Sequence, residues 1–165
     1  CSAPEDAATL LCAQASAQTG APFGALKPFL RLWERLRFGK TAAAQTSKVL
    51  RTANVPVLLL HGGKDAVVPL SNAAANAPHL SENPHIKRVI YPEKRHNVYN
   101  TLEAEAGVAE TLERFGVLSK QKDGSADALA AYAKTLNFRK LCEEDPAVMQ
   151  TVEQFLEECL LDQQA

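Results

Sequence analysis

The sequence predicts an α/β chain with few parallel strands, many helices and an incomplete sheet, and three observations carry that expectation. Residues 57–60 read V-L-L-L, a continuously apolar run of the kind found in parallel strands covered on both faces. A second strand candidate, Ile86 to Tyr91, follows after a stretch long enough for a helical crossover, which would be right-handed. Most of the remaining chain repeats its apolar residues at helical spacing. Two strands joined through a helix do not make a self-sufficient sheet, so further structure is expected to cover them.

The pattern divides the chain into three stretches. Residues 1–55 read as helical. Within them Leu26, Phe29, Leu30, Trp33, Leu36 and Phe38 recur at helical spacing, with Lys27, Arg31, Glu34, Arg35 and Arg37 between them, an amphipathic helix that either packs on the core or borders a pocket. An Ala-rich helix over 41–53 ends at Asn54, before Pro56. Residues 56–118 form an α/β core: strand, acid-bearing turn, a helix over 70–80, strand, histidine loop, and a helix over 99–115. Ala73, Ala74, Ala75 and Ala77 would let the 70–80 helix sit close to the sheet, and Gly62 and Gly63 would allow a sharp turn after the first strand. Residues 119–165 form a polar linker at 121–125 and then two or three helices. The last of these opens at Asp145-Pro146, a capping residue followed by proline at the first helical position, and is expected to bury Val148, Val152, Phe155, Leu156 and Cys159.

Composition narrows the function classes. The chain has 165 residues, 46% of them hydrophobic, enough for a core. Lysine plus arginine is 18 against 19 acidic residues, a net charge of −1, so no global field favours nucleic acid or an anionic membrane. The apolar runs are far shorter than a bilayer span and no signal peptide is visible, so a cytoplasmic protein is expected. Cys1, Cys12, Cys142 and Cys159 form no C-x-x-C pair and read as incidental thiols. A metal centre fits poorly without H-x-x-x-H or H-E-x-x-H spacing, and no metal or cofactor is expected.

The chemistry concentrates in two segments, P-V-L-L-L-H-G-G-K-D at 56–65 and Y-P-E-K-R-H-N at 91–97. Each strand delivers a titratable group just past its end, Asp65 after the first and His96 after the second. A histidine works as a general base near neutral pH when a carboxylate fixes its tautomer and stabilises the imidazolium, so Asp65 and His96 read as the acid and base of a nucleophile–His–acid triad, the plainer alternatives being a cap of the following helix or loop for Asp65 and an exposed loop histidine for His96. These segments resemble the last two core strands of the α/β-hydrolase superfamily, nearest its serine esterase, lysophospholipase and monoacylglycerol-lipase-like members. The family's H-G-x-x-D-x-V-V-P-like setting matches His61, Gly62, Asp65, Val67, Val68 and Pro69, and its base matches His96. Cys1-Ser2-Ala3-Pro4 resembles the exit from the strand after the nucleophile into a helical lid. The resemblance thus makes residues 1–55 a lid or cap, and it covers most of the chain up to about residue 118.

The family's G-x-S-x-G elbow is absent: none of Ser2, Ser16, Ser47, Ser71, Ser81, Ser119 or Ser125 has glycine two positions away on both sides. An oxyanion-hole loop also lacks a candidate. In the family's order of nucleophile, acid and base, the resemblance implies that the serine lies upstream of Cys1, in a missing N-terminal half of the fold. The opening on Cys1 rather than Met is expected to mark a cleaved product or a partial reading frame. The implied protein is a serine hydrolase acting on carboxylic esters, lipid-like acyl esters above all, with a small-molecule ester as partner and this chain alone inactive. The alternatives are a non-catalytic binding or scaffold module on the same fold, or another nucleophile on the same frame: aspartate in a dehalogenase or epoxide hydrolase, cysteine for lactones. His61 reads as structural, His79 and His85 as exposed, Lys94 and Arg95 as a solvated turn, and Asn97 and Tyr99 as shaping the histidine loop.

Overall fold

The computed structural model describes residues 3–39, 44–120 and 125–162. The chain is mixed α/β, mainly helical, with a two-stranded parallel sheet among the described residues. It gathers into two compact units, Cys1–Val98 with Glu157–Ala165, and Tyr99–Leu156. The expected boundaries after residues 55 and 118 both fall inside these units, because the helical stretch 1–55 and the strands share one core while the fourth helix packs with later helices.

In the first unit, α1 (Ala7–Thr19) starts where the Asp6 carboxylate accepts hydrogen bonds from the Thr9 amide and hydroxyl, both at 2.7 Å. It ends at Gly20, whose φ of 73° lets its amide bond back to the Ser16 carbonyl. Ala8 and Cys12 form its buried side. A 3-10 turn at Phe23–Leu26 leads into α2 (Lys27–Phe38), the amphipathic helix read from the sequence. Its orientation is the reverse of core packing: Glu34 is its buried residue, while Phe29, Leu32, Trp33 and Leu36 are exposed. The expected 41–53 helix is realised as α3 (Thr46–Arg51) only; residues 40–43 lie outside the described residues. Ser2 and Cys1, with the lid-exit reading placed on them, also lie outside them.

Strands β1 (Val57–Gly62) and β2 (Ile86–Tyr91) pair in parallel, in register from Val57 opposite Ile86 to Gly62 opposite Tyr91. Neighbouring strand residues point to opposite faces, and Leu59 and Leu60 are both buried, so β1 is covered on both sides at that level. The expected 70–80 helix is replaced by three 3-10 turns, Leu70–Asn72, Ala74–Asn76 and Pro78–Glu82. Two extended residues break the α-helical path. Ala77 precedes Pro78, which disfavours helical backbone, and Ala73 bridges Pro4 in antiparallel fashion. The alanines do pack as their size suggests, Ala73, Ala74 and Ala75 being buried.

Asn83, between the last turn and β2, ties this unit together. Its side-chain amide donates to the carbonyls of Leu50, Arg51 and Ala53 at 3.0, 3.2 and 2.9 Å, satisfying the end of α3, while its Oδ1 accepts from the His85 amide.

In the second unit, α4 (Leu102–Leu118) starts at Thr101, whose hydroxyl accepts from the Ala104 amide. It packs with α5 (Ser125–Thr135) through an edge-on contact of Phe115 with Tyr132, and with α6 (Phe138–Leu141) near Gly107 and through an ion pair of Glu103 with Lys140. The linker residues 121–124 lie outside the described residues. Helix α7 (Pro146–Asp162) begins as expected, with Asp145 Oδ1 accepting from the Ala147 amide at 2.9 Å and Val148 buried. Leu156, expected in the core, is exposed. From Glu157 onward α7 belongs to the first unit, where Glu158 pairs with Lys87 of β2 at 2.8 Å.

Among the described residues no helix is long and apolar enough to cross a membrane.

Candidate active site

Both candidate residues lie just past the carboxyl ends of adjacent parallel strands, Asp65 three residues beyond β1 and His96 five beyond β2. The structure brings them together: His96 Nδ1 lies 2.9 Å from Asp65 Oδ2. With Asp65 ionised, the bond is satisfied by a proton on Nδ1, which leaves Nε2 as the ring atom able to take up a proton.

The carboxylate is aimed by its own turn. Asp65 Oδ1 accepts from the amides of Val67 and Val68 at 2.8 and 2.9 Å, so one oxygen is held by the backbone and the other is presented to the histidine. Its side chain is shut off from solvent, whereas that of His96 is 41% exposed. A buried acid beside a half-exposed base lets the imidazole meet a reactant while water is kept from the carboxylate, strengthening the interaction between them.

Behind the acid turn sits His61, fully buried near the end of β1. Its Nε2–H donates to the Val68 carbonyl at 3.1 Å, and Nδ1 has no hydrogen-bond partner among the described residues. The Val68 peptide is therefore clamped on both sides, its N–H on Asp65 and its carbonyl on His61. Burial holds the His61 pKa below the ordinary histidine value, against the opposing pull of the Asp65 charge and of the bond to Val68. Neutral His61 is thus a structural brace, as its sequence position suggested.

The two loops meet backbone to backbone. The Lys64 amide donates to the Lys94 carbonyl at 2.9 Å, and the Gly63 amide to the Tyr91 carbonyl at 2.8 Å. A Cβ on Gly62 would come within 1.9 Å of the Arg95 carbonyl oxygen, and one on Gly63 within 2.7 Å of the Pro92 carbonyl oxygen. Neither glycine has a positive φ, so what they supply is close approach of the chain rather than the conformational freedom expected for the turn.

Other sequence expectations fare unevenly here. Lys94 is buried rather than solvated, while Arg95 is exposed. His85 is exposed, but His79 is only half-exposed. Tyr99 is exposed and belongs to the second unit, where its carbonyl accepts from the Asp145 amide. The capping alternative for Asp65 and its place beside His96 turn out not to exclude each other: Oδ1 accepts from the amides two and three residues on, as an aspartate in a turn commonly does, while Oδ2 meets the histidine. Sequence reading missed the loop-to-loop approach at Gly62, for which the sequence holds no signal.

Cys12 is buried, Cys142 exposed and Cys159 half-buried; Cys1 lies outside the described residues. Among the described residues no group of three or more His, Cys, Asp or Glu side chains is gathered as a metal ion would require. Comparison with family models, with curated proteins and with solved structures finds no match for this chain.

Proposed function

We propose that Asp65 and His96 are the acid and base of a Ser-His-Asp triad in an α/β-hydrolase that cleaves carboxylic esters, acyl esters of lipid-like alcohols above all, with the serine supplied from outside these 165 residues. The observation that carries the reading is the 2.9 Å bond from His96 Nδ1 to an Asp65 carboxylate whose second oxygen is locked by two amides. Fixing the histidine tautomer and orientation is the work such an acid does in acyl transfer. Nε2 of His96 then takes the proton of the attacking hydroxyl and returns it to the leaving alcohol, while Asp65 stabilises the imidazolium between those steps. The likeness of L-L-L-H-G-G-K-D-A-V-V-P to the acid segment of serine esterases adds to this reading.

The test is to extend the reading frame upstream of Cys1 and assay the longer protein on nitrophenyl esters. A G-x-S-x-G serine there, labelled by a fluorophosphonate, is expected, and His96→Ala should lower kcat by on the order of 10⁴-fold with folding intact. The 165-residue chain by itself should give no His96-dependent turnover. A His96→Ala enzyme with near-normal kcat would remove the base assignment. Aspartate at the elbow would redirect the reading to a dehalogenase or epoxide hydrolase, and an upstream region with no nucleophile to a binding module.

A further inference from the structure

His61 is fully buried, ionisable and unused by the acid–base chemistry of its neighbours. Among the described residues its side chain makes a single hydrogen bond, from Nε2 to the carbonyl of Val68, a residue only 3% exposed. Val68 is thereby held at both ends of its backbone, since its amide donates to Asp65 Oδ1 at 2.9 Å. The other oxygen of that carboxylate meets His96 Nδ1 at 2.9 Å. A continuous run of hydrogen bonds therefore joins the buried imidazole to the half-exposed one, in the order His61, Val68, Asp65, His96.

This run requires a neutral His61. A second proton on the ring goes to Nδ1, a buried atom with no acceptor among the described residues. A buried donor left unsatisfied is costly, and a buried charge without a partner more so. The imidazolium relieves both by moving its ring, which breaks the bond to Val68. Two neighbours tie that event to the chemistry of the site. Among the described residues, the ionisable groups whose charges act on His61 are Asp65, which favours the protonated ring, and His96, which opposes it. The effects are reciprocal: a charged His61 competes for the Asp65 carboxylate and disfavours the imidazolium that His96 must become when it takes up a proton.

We propose that His61 is a positioning residue for the Asp65–His96 pair that works only in its neutral form, so that its protonation in mild acid releases Val68, loosens the Asp65 carboxylate and weakens the base. The catalytic consequence rests on the ester-hydrolase reading; the coupling of His61 to Val68 and Asp65 does not. Protonation of His96 cannot imitate it. His96 keeps its Nδ1–H toward Asp65 whether or not Nε2 carries a proton, and so leaves the Val68 amide in place.

The 165-residue chain suffices for the central test. In a pH titration followed by NMR, the ring signals of His61 should move as pH falls below 6.5, and the hydrogen-exchange protection of the Val68 amide should drop with the same midpoint. The expected drop is about 5-fold or more, the worth of one hydrogen bond. His61→Gln, whose side-chain nitrogen replaces Nε2 as donor and takes up no proton, should keep that protection across the same range. His61→Leu should lack it at neutral pH as well; if the leucine variant does not fold, the parent and the glutamine variant decide. In the longer, serine-bearing protein, log kcat should fall on the acid side with a slope of about 2, one proton on each histidine, and of about 1 in His61→Gln. The proposal is overturned by Val68 protection that stays constant while His61 titrates, by an equal drop in His61→Gln, or by an esterase whose acid limb has the same slope in both forms. Absence of esterase activity in the longer protein would count against the proposed function alone, with the amide protection still deciding the role of His61.

Discussion

Replacing Gly62 by alanine tests how the acid and base are held together. The new Cβ would sit 1.9 Å from the Arg95 carbonyl oxygen and 2.5 Å from that of Lys94, and both obstacles are backbone, so no side chain can swing clear. Restoring ordinary contact requires the two loops to part by roughly 1 Å or more. That movement stretches the Lys64–Lys94 and Gly63–Tyr91 hydrogen bonds, now 2.9 and 2.8 Å. Losing two such bonds costs about 1 kcal/mol each, and residual overpacking adds about 1–3 kcal/mol. The sum, roughly 3–5 kcal/mol, corresponds to a Tm lower by about 10 °C for a chain of this size. The Asp65–His96 bond should lengthen as well, so the downfield Nδ1–H proton resonance of His96 should broaden or vanish in the NMR spectrum. Gly116→Ala is the control: the site is in α4 with nothing within 4 Å, so that substitution should stabilise by about 0.5–1 kcal/mol. Gly62→Ala with the parent's Tm and an intact His96 resonance would refute the argument.

Three further outcomes are expected. Asn83→Asp should lower Tm more than Asn83→Ala, although it is the closer isostere, because a carboxylate would face three carbonyls that the amide now satisfies; Ala alone should cost roughly 2 kcal/mol by denaturant titration. For Asp6, burial pushes the pKa up, but the hydrogen bonds from Arg31 and Thr9 outweigh it and hold the carboxyl below its ordinary value of 3.8. The stabilisation is thus full above about that pH and is lost as pH falls through the lower folded value. Asp6→Asn should therefore be less stable than the parent at neutral pH, and the two unfolding curves should converge in strong acid. His61, its pKa held down by burial, titrates in a different window. Its native state binds a proton less readily than the unfolded chain, so stability declines as pH drops below 6.5, and His61→Gln should flatten that part of the stability–pH profile. A parent whose stability is unchanged between neutral pH and the onset of carboxylate titration would contradict the neutral, buried His61.

The amino-acid sequence by itself determined the local elements with strong periodicity. The apolar run at 57–60 specifies a strand because burial on both faces leaves little polar pattern, the I-K-R-V-I-Y stretch specifies one through its β-branched and aromatic residues, and the Asp145-Pro146 pair specifies a helix start through capping and a preset φ. Asp65 and His96 were legible for the same reason, each standing just past a strand whose end the sequence marks. Tertiary structure decided what periodicity cannot address. The 70–80 segment has the composition of a helix, yet the bridge from Pro4 to Ala73 and the proline after Ala77 broke it into 3-10 turns. Helix α2 announced an apolar face, but which side lies inward depended on Asp6 and its bond to Arg31, a pair 25 residues apart. The need for glycine at 62 arises from the Arg95 carbonyl, which reaches it only when two strands pair in one particular register. Propensity and capping act over a few neighbouring residues, whereas facing, register and backbone approach are set by contacts that exist only once the distant parts of the chain have met.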